Sequence, residues 1–411
     1  MPDWRFLANA ACDIAGTPCY VMSEQCVRNA LSRLEALESP IPLRHWVSLK
    51  TQPVARLVHA AIGLGLGIDV VSDYELSGAI GAGVPSDRIL VNGVGKQHWL
   101  RRHRIPGLRV HFDSMNEARE LAGLSRAMRW RVGLRCAIPG LATSVHDSPV
   151  WDQFGMTLPE MRAALVALGE AGVAVSGLHF HLHTSMQQAG EYLRALEFVA
   201  DVAVSARFEP EYIDMGGGLP VPGETALDGT AAADTFHFGE FHQVLAAVPA
   251  LLPSVREIWL ENGRFLTGPA GALVMTVLDS KDRNGGTYLT CDGGRVNHAR
   301  MASIERHEIL LAPARQGALR ETTICGPTCS AVDRLGSWML PGSVRPGDRV
   351  IWLSAGAYHI PLETRFSTGL APVVWFNERQ EAEVVRERET PEQWWGQWLS
   401  LPRRQRAASG G

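Results

Sequence analysis

The chain has 411 residues, of which 46% are hydrophobic and 20% are charged, and its formal net charge at pH 7 is −4. This length allows two domains with a large core, and the composition is that of a globular protein. The slightly negative balance, without a basic stripe, argues against nucleic acid as a partner.

The seven cysteines show no Cys-x-x-Cys spacing, so they predict neither a zinc site nor a disulfide framework. Their odd number fits a reducing compartment. The first ten residues lack the apolar stretch of a signal peptide, and the apolar stretch 60–68 is too short to span a bilayer. We therefore expect a soluble, cytoplasmic protein with no membrane partner and no metal.

Strand-like and helix-like segments alternate through the first two thirds of the chain, after a helix-like segment at 21–37. The helix-like segments that follow include 54–66, 74–82, 115–124 and 158–170. The strand-like segments are 45–49, 68–72, 89–91, 109–112, 131–136, 175–181, 212–215 and 257–261. Alternation sustained over about 230 residues predicts an α/β fold in which parallel strands form a (β/α)8 TIM barrel.

The pattern changes after residue 273, where short β-rich segments are separated by Gly and Asp. These segments are 273–278, 287–291, 322–324, 349–353 and 373–376. They predict a mostly antiparallel β domain, which the strand-like segment 19–22 joins. We predict a barrel over 24–275, a β domain formed by 1–23 and 276–400, and a disordered tail at 401–411.

Lys50 directly follows an apolar strand, so its side chain is expected at the C-terminal mouth of the barrel, where such enzymes place their chemistry. A lysine that forms a covalent bond to a carbonyl cofactor must be able to lose its proton, and partial burial favours this by lowering the pKa. From position alone, an ordinary surface lysine is the commoner alternative.

Other candidates also stand at strand ends. His179 and His181 share one face of a strand, which allows a zinc pair or simply two buried, hydrogen-bonded histidines, although no third ligand is in register. The run Gly216-Gly217-Gly218 can bring backbone N–H groups close to a phosphate, whereas a glycine turn without a ligand is commoner.

Three further residues have both a chemical and a structural interpretation. Glu261 ends a strand, where it is either a reactive carboxylate or a salt-bridged one. The Cys329 thiol can return a proton to carbon, although an inert cysteine is the default. Tyr358 is either a ligand-contacting phenol or a structural tyrosine.

In their order and wording, these segments resemble the pyridoxal 5'-phosphate (PLP)-dependent amino-acid decarboxylases of the alanine-racemase fold type, especially diaminopimelate and ornithine decarboxylases. The resemblance extends from about Thr17 to about Trp395. Seven segments carry it: Ser48-Leu49-Lys50, the Gly-x-Asp-Val-Val-Ser-x-x-Glu-Leu match at 67–76, His179-Phe180-His181, the Asp-x-Gly-Gly-Gly-x-Pro match at 214–220, Glu261-Asn262-Gly263-Arg264, Gly326-Pro327-Thr328-Cys329 and Gly356-Ala357-Tyr358.

The resemblance implies PLP as cofactor and an amino acid as substrate. It implies catalytic roles for Lys50, which binds the cofactor, and Cys329, which reprotonates Cα. His181 would stack on the pyridine ring, and Glu261 would keep the ring nitrogen protonated. The implied cofactor-binding residues are Lys50, Asp69, His181, Ser185, Gly216, Gly217, Gly218, Glu261, Gly263, Arg264 and Tyr358. The implied substrate-binding residues are Arg264, Arg300, Ser330, Asp333 and Tyr358.

The resemblance also implies a homodimer with shared active sites, because Cys329 and Asp333 reach the partner's site in that family. Diaminopimelate and ornithine decarboxylases place an acid directly after the cysteine, to pair with the distal amine of the substrate, whereas this chain has Ser330. Arg300 is in register with a carboxylate-binding arginine, but Ile304 replaces the tyrosine of the same motif. A buried ammonium group needs a negatively charged partner, and Ser330 does not supply one to the distal amine of such a substrate.

We therefore expect a PLP-dependent decarboxylase with a different or conjugated substrate, in a specialised siderophore or secondary-metabolite pathway. The alternative is a true diaminopimelate decarboxylase of lysine biosynthesis, or a carboxynorspermidine-type decarboxylase. A racemase on the same fold and a non-catalytic homologue are the remaining alternatives.

Overall fold

The structure is a computed structural model that describes residues 2–139, 153–221, 236–283, 285–298 and 305–398, together with the backbone of 225–226. Two predicted features, Arg300 and the disordered tail at 401–411, lie outside the described residues. Among the described residues, no helix is both long enough and apolar enough to cross a bilayer.

Nineteen strands are found in the described part of the chain. In chain order they are β1 (Cys19–Ser23), β2 (Leu43–Ser48), β3 (Gly67–Val70), β4 (Ile89–Val91), β5 (Arg109–Phe112), β6 (Arg131–Arg135), β7 (Val175–His179), β8 (Tyr212–Asp214), β9 (Thr225–Ala226), β10 (Glu257–Glu261), β11 (Gly271–Arg283), β12 (Gly286–Cys291), β13 (Glu305–Arg306), β14 (Ile309–Ala312), β15 (Leu319–Cys325), β16 (Arg334–Pro341), β17 (Arg349–Trp352), β18 (Val373–Phe376) and β19 (Ala382–Arg386).

The helices lie mainly between the strands of the first half of the chain. They span Trp4–Ala15, Glu24–Glu35, Ala55–Gly63, Asp73–Gly81, Met115–Met128, Leu158–Glu170, Gly190–Ala206, Phe238–Leu251, Gly263–Thr267, Arg295–His298, His359–Leu362 and Pro391–Gly396. Between β4 and β5, two short 3-10 turns replace the α-helix that connects neighbouring strands elsewhere in the barrel.

The strands β10-β2-β3-β4-β5-β6-β7-β8 form a closed barrel in which every neighbouring pair is parallel. The predicted (β/α)8 TIM barrel is confirmed. The carboxyl ends of all eight strands therefore open at one mouth.

Aromatic rings fill the opposite end of the barrel interior. Trp46, Tyr212 and Trp259 are buried there, and the last two stack with their ring centroids 3.7 Å apart. Glycines leave the necessary space, because a Cβ on Gly177 would lie 2.3 Å from the Tyr212 ring. A Cβ on Gly67 would lie 2.1 Å from the Trp46 ring. This plug confines a ligand to the C-terminal mouth.

The second domain is built on a nine-stranded sheet with the path β16-β15-β12-β11-β1-β18-β19, and β14 and β17 join it beside β11. Only two of its eight pairings, β1–β18 and β12–β15, are parallel. The predicted, mostly antiparallel β domain is confirmed, including the contribution of residues 19–22. The predicted domain boundary after residue 275 falls inside β11.

The helix Trp4–Ala15 is an element that hydrophobic periodicity did not predict. Its N-cap Asp3 accepts hydrogen bonds from the backbone N–H groups of Arg5 and Phe6. Its buried side, which includes Trp4 and Leu7, packs on the β domain. The N-terminal segment thus contributes this helix as well as β1.

Candidate active site

Lys50 reaches the mouth of the barrel on a 3-10 turn, Leu49–Thr51, that directly follows β2. The hydroxyl of Thr51 donates a hydrogen bond to the carbonyl of Ser48 (2.7 Å) and thereby holds this turn. The Thr51 carbonyl accepts the backbone N–H of Tyr358 (2.8 Å), which ties the turn to the β domain. The Lys50 side chain remains 35% exposed, so its amine is accessible from the mouth.

Two buried carboxylates lie beneath this amine and share one amide. The Lys50 Nζ atom is 3.8 Å from Oδ2 of Asp69. The Asn92 Nδ2 group donates to Oδ1 of Asp69 (2.8 Å) and to Oε1 of Glu261 (2.6 Å). Ser48 adds a hydrogen bond of 2.6 Å to Asp69. One lysine, two acids and one amide therefore form a connected group.

The charges in this group shift one another's pKa values. Burial raises the pKa of Asp69 to about 7, and the nearby negative charge of Glu261 adds to the effect. Burial also disfavours ionisation of Glu261, but the nearby positive charge of Lys50 favours it, and the pKa of that carboxyl is lowered. Glu261 is thus the carboxylate that stays ionised at neutral pH.

The sequence led us to expect that burial lowers the pKa of Lys50. For the cofactor-free protein this prediction is wrong. Burial does disfavour the ammonium form, but the negative charges of Asp69 and Glu261 outweigh it and raise the pKa of Lys50 above its ordinary value. The lysine therefore carries a proton until another group enters the site and changes this balance.

His181 stands two residues beyond the end of β7 and faces Glu261. Its Nδ1 atom accepts the backbone N–H of Gly217 (3.1 Å) and lies 3.6 Å from Oε2 of Glu261. The accepted bond means that Nδ1 carries no proton. Burial lowers the pKa of His181, so the ring is neutral and suited to stacking on a flat ligand.

A second histidine layer supports Glu261 from below. His179 Nε2 is 3.3 Å from Oε1 of Glu261, and its ring stacks on His111 with centroids 4.7 Å apart. His111 is itself held by Asn92 (2.9 Å) and by the Tyr212 hydroxyl (3.1 Å). These contacts restrict Glu261 to one orientation.

The three predicted glycines form a turn with no room for side chains. A Cβ on Gly216 would lie 2.7 Å from the His181 ring, and one on Gly217 would lie 2.3 Å from the Glu261 carbonyl oxygen. A Cβ on Gly218 would lie 2.2 Å from the carbonyl oxygen of His183. Gly216 and Gly218 also have positive φ values of 68° and 105°. Only glycine therefore allows the turn to pack against these neighbouring groups.

Arg264 lies in the short helix Gly263–Thr267 that follows β10 and is largely buried. Its Nε donates to the Thr184 hydroxyl (2.9 Å), and its guanidinium lies 4.9 Å from the centroid of the Tyr358 ring. It also forms a close ion pair with the buried Glu305. Ser185 follows Thr184 with a positive φ of 53°. The Thr184 hydroxyl is thus held by Arg264.

Cys329, Ser330 and Asp333 lie together on the loop between β15 and β16 of the β domain. The Cys329 thiol is exposed. The carboxylate of Asp333 is buried and accepts the Thr328 hydroxyl (2.6 Å), the Thr328 N–H (3.1 Å) and the Arg295 N–H (2.8 Å). No hydrogen bond or ion pair between described residues joins this loop to Lys50. Asp333 therefore shapes the loop within its own chain.

The structure brings most of the predicted residues to one mouth: Lys50, Asp69, His181, Gly216, Gly217, Gly218, Glu261, Gly263, Arg264 and Tyr358. Three supporting residues were not predicted from the sequence. Asn92 directly follows strand β4, so the strand-end rule that singled out Lys50 also applied to it. Glu305 and His111 carried no comparable signal.

Comparisons with known proteins point to one family. Residues 28–268, more than half of the chain, match the family model described as "Pyridoxal-dependent decarboxylase, pyridoxal binding domain". The chain is 29% identical over 393 residues to a diaminopimelate decarboxylase of Actinosynnema pretiosum subsp. auranticum, covering 92% of this chain and 87% of that one. It is 27% identical over 404 residues to that of Bacillus subtilis, covering 92% and 90%.

Solved structures show the same fold. A diaminopimelate decarboxylase from M. jannaschii in complex with L-lysine superposes with a TM-score of 0.80 at 23% identity, covering 96% of this chain and 95% of that one. A lysine/ornithine decarboxylase from Vibrio vulnificus in complex with putrescine superposes with a TM-score of 0.74 at 20% identity, covering 92% and 98%.

The residues at the mouth fit pyridoxal 5'-phosphate. An accessible amine, an ionised carboxylate and a neutral imidazole lie together there. Beside them is a glycine turn that has no room for a Cβ atom. When bound, PLP accepts the electron pair left on the substrate Cα as the carboxylate departs. The site and the matches agree, and the chain belongs to the pyridoxal-dependent decarboxylase family as a PLP-dependent amino-acid decarboxylase.

Proposed function

We propose that this enzyme removes one α-carboxylate from diaminopimelate. The group formed by Lys50, Asp69, Asn92 and Glu261 at the barrel mouth carries the proposal of α-decarboxylation. The choice of substrate rests on the curated relatives, which are named diaminopimelate decarboxylases and align with about nine tenths of the chain. The specialised substrate expected from the sequence finds no support among these relatives, so the stated alternative takes first place.

Each residue at the mouth receives a role by its contacts. Lys50 is the amine that would hold the cofactor, because Lys96 is fully buried and paired with Glu117, and Lys281 is paired with Asp279 on β11. Glu261 keeps a proton on the cofactor ring nitrogen, which requires the ionised state that its low pKa provides.

Binding and orientation fall to the neighbouring groups. His181 would stack on the cofactor ring, and the turn formed by Gly216, Gly217 and Gly218 would receive the phosphate, although the N–H groups of Gly216 and Gly217 already donate to Asp214 and His181. Asn92 fixes Glu261 and Asp69 relative to each other through its two donated hydrogen bonds. Tyr358, Ser185 and Arg264 close the rim of the site, and Arg264 is kept in place by Thr184 and Glu305.

We propose further that the active unit is a homodimer with shared sites. Cys329 is exposed on the β domain, and within one chain no described contact joins its loop to Lys50. Apolar side chains flank this loop in solvent, since Val332 is 70% and Phe366 54% exposed. A second chain covering this surface would bury them and bring Cys329 to the partner's site, where its thiol would return a proton to Cα.

A second candidate substrate is an amino acid whose far end is acidic, acylated or otherwise conjugated. One observation favours it: the oxygens of Asp333 are already taken by Thr328 and Arg295, so this acid is poorly placed to replace the one missing at Ser330. A free distal ammonium buried without an anion would cost affinity. A siderophore or another secondary-metabolite pathway would supply such a substrate.

Steady-state kinetics separate the two candidates. Purified enzyme is assayed for CO2 release from meso-diaminopimelate, lysine, ornithine and a diaminopimelate acylated on its distal amine. The proposal expects meso-diaminopimelate to exceed a kcat/KM of about 10⁴ M⁻¹s⁻¹, the lower end for physiological substrates. Preference for the acylated compound would instead establish the second candidate. Racemisation without CO2 release would contradict both.

A matched pair of variants tests the missing acid directly. If a free ammonium is recognised poorly, Ser330→Glu should raise kcat/KM for meso-diaminopimelate, and the neutral control Ser330→Gln should not. If the wild-type enzyme already handles meso-diaminopimelate well, Ser330→Glu has little to improve.

We also propose a cytoplasmic location. All seven cysteines are unpaired, six of them buried or partly buried, which suits a reducing compartment. Expression of a tagged chain followed by fractionation would test this directly.

A further inference from the structure

Three histidines that are far apart in sequence meet inside the β domain. His298 ends the helix Arg295–His298, His307 follows β13, and His359 begins the helix His359–Leu362. Their exposed fractions are 0%, 4% and 0%. Each offers one ring nitrogen to a common point, and these three atoms all lie within 4.8 Å of one another.

The hydrogen bonds of these histidines define which nitrogens are available. His307 Nδ1 lies 2.8 Å from the carbonyl oxygen of Leu353, and His359 Nδ1 lies 2.8 Å from that of Ala357. A carbonyl can only accept, so each Nδ1 carries the proton and each Nε2 keeps its lone pair. Neither of these Nε2 atoms, nor either nitrogen of His298, has a hydrogen-bond partner among the described residues.

Packing alone does not account for this arrangement. A buried polar atom without a partner costs about 1–3 kcal/mol, and native proteins contain few of them. Here four such nitrogens are concentrated in one cluster, beside the apolar Trp352 ring, whose centroid is 4.4 Å from that of His298. Leucine or phenylalanine would fill the same volume at no such cost. The cluster requires an occupant that accepts lone pairs.

Glu305 supplies a negative charge at the edge of the cluster. Its Oε2 atom is 3.3 Å from Nε2 of His307, and its other oxygen pairs with Arg264. Imidazole nitrogens with a carboxylate beside them are the groups that suit a divalent transition metal.

We propose that His298, His307 and His359, with Glu305 as the neighbouring negative charge, bind a divalent transition-metal ion of the zinc class. The Nδ1–H bonds to backbone carbonyls are the outer contacts that orient metal-binding histidines. Zinc holds nitrogen ligands at about 2.0–2.1 Å, which places them roughly 3.3 Å apart, so small rotations of the rings would close the cluster.

The proposed metal site is separate from the cofactor site but is connected to it. None of its three histidines contacts Lys50, Asp69 or Glu261 among the described residues. Glu305 forms the connection, because one carboxylate lies between the histidine cluster and Arg264, which packs against Tyr358. A bound ion would therefore fix Glu305 and thereby position Arg264 at the rim of the active site.

Metal content is the direct test. PLP-loaded enzyme is freed of metal with a chelator, passed through a desalting column, and equilibrated with Zn²⁺, after which bound metal is measured by elemental mass spectrometry. The expected result is one tightly bound ion per chain. Titration with Co²⁺ should also produce the visible absorption bands of a nitrogen-rich site. This readout does not depend on any decarboxylase activity, so it stands or falls apart from the proposed function.

Variants assign the ion to this cluster. His359→Gln and His307→Gln should each weaken binding by more than about 100-fold, since even an outer contact is worth 10–100-fold. The control His59→Gln changes an exposed histidine elsewhere and should bind like the wild type. If the cluster variants do not fold, the wild-type titration alone decides. Absence of bound metal in the wild type, or equal binding by folded cluster variants, would overturn the proposal and leave a buried water as the occupant.

Discussion

The glycine turn offers a quantitative test of where the phosphate binds. In Gly217→Ala the new Cβ would lie 2.3 Å from the carbonyl oxygen of Glu261, well under the 3.0 Å that real Cβ atoms respect. This oxygen belongs to the end of β10, whose N–H at Glu261 bonds the Gly216 carbonyl (2.9 Å). The turn and the strand must therefore separate by at least about 0.7 Å.

Enlargement of a close-packed position of this kind costs about 1–3 kcal/mol. Because the displaced backbone is the proposed phosphate cradle, we expect PLP to bind about 5- to 150-fold more weakly. Gly217 does not have a positive φ, in contrast to Gly216 and Gly218, so the effect is purely steric. Binding is measured by absorbance titration of cofactor-free protein whose fold is verified by circular dichroism.

The matched control is Gly239→Ala in the helix Phe238–Leu251, where a new Cβ meets nothing within 4 Å. It should leave PLP affinity unchanged and should not lower the free energy of unfolding, since alanine favours a helix over glycine. If folded Gly217→Ala binds PLP as tightly as the wild type, the turn does not hold the phosphate and the assignment is wrong.

Three further predictions address the acids and the dimer. Mixing inactive Lys50→Ala with inactive Cys329→Ala should restore up to about a quarter of wild-type activity, by exchange into two-site dimers; proven heterodimers without recovery would place both halves of the site on one chain. Asn92→Leu removes two hydrogen bonds to carboxylates worth about 1.5–3 kcal/mol each, so kcat should fall at least 10-fold. The acid limb of the pH–rate profile should move to higher pH, because Glu261 becomes easier to protonate. An unchanged profile would show that Asn92 does not stabilise the ionised form of Glu261. Because the pKa of Asp69 is raised to about 7 in the folded, cofactor-free protein, that state binds more protons than the unfolded chain between about pH 4 and 7, and the contribution of Asp69 to stability falls as the pH rises through this window. Urea unfolding of cofactor-free Asp69→Asn should therefore show a smaller loss of stability between pH 5 and 8 than the wild type, and equal losses would refute the shift.

Local patterns predicted the framework of the molecule well. Period-two and apolar segments located the eight barrel strands, and five of them, including β4 and β10, match their predicted bounds or differ by one residue at one end. The helix Leu158–Glu170 was also predicted to its limits from its amphipathic pattern, and in the structure a Thr157 capping box and a proline mark its start. The short, amphipathic helix Trp4–Ala15 was missed because it precedes the alternating strand-like and helix-like segments on which the prediction was based.

The electrostatics of the site were less accessible from the sequence. Burial of Lys50 was expected to lower its pKa, but the sequence does not show that two acids from distant strands, Asp69 and Glu261, surround it. Asn92 links those acids only because β4 lies beside β3 in the closed barrel. The cluster of His298, His307 and His359 depends on three separate segments of the β domain, and no spacing rule connects them.

Covalent trapping tests the central claim most directly. The chain has only three lysines, of which Lys96 is buried against Glu117 and Lys281 lies on β11 beside Asp279. PLP-loaded enzyme is reduced with borohydride, digested and mapped by mass spectrometry, with Lys281→Ala as control. We predict that the pyridoxyl label is on Lys50 in both the wild type and Lys281→Ala. In Lys50→Ala, both the label and CO2 release should be lost. A label on Lys96 or Lys281, or full activity in Lys50→Ala, would contradict it.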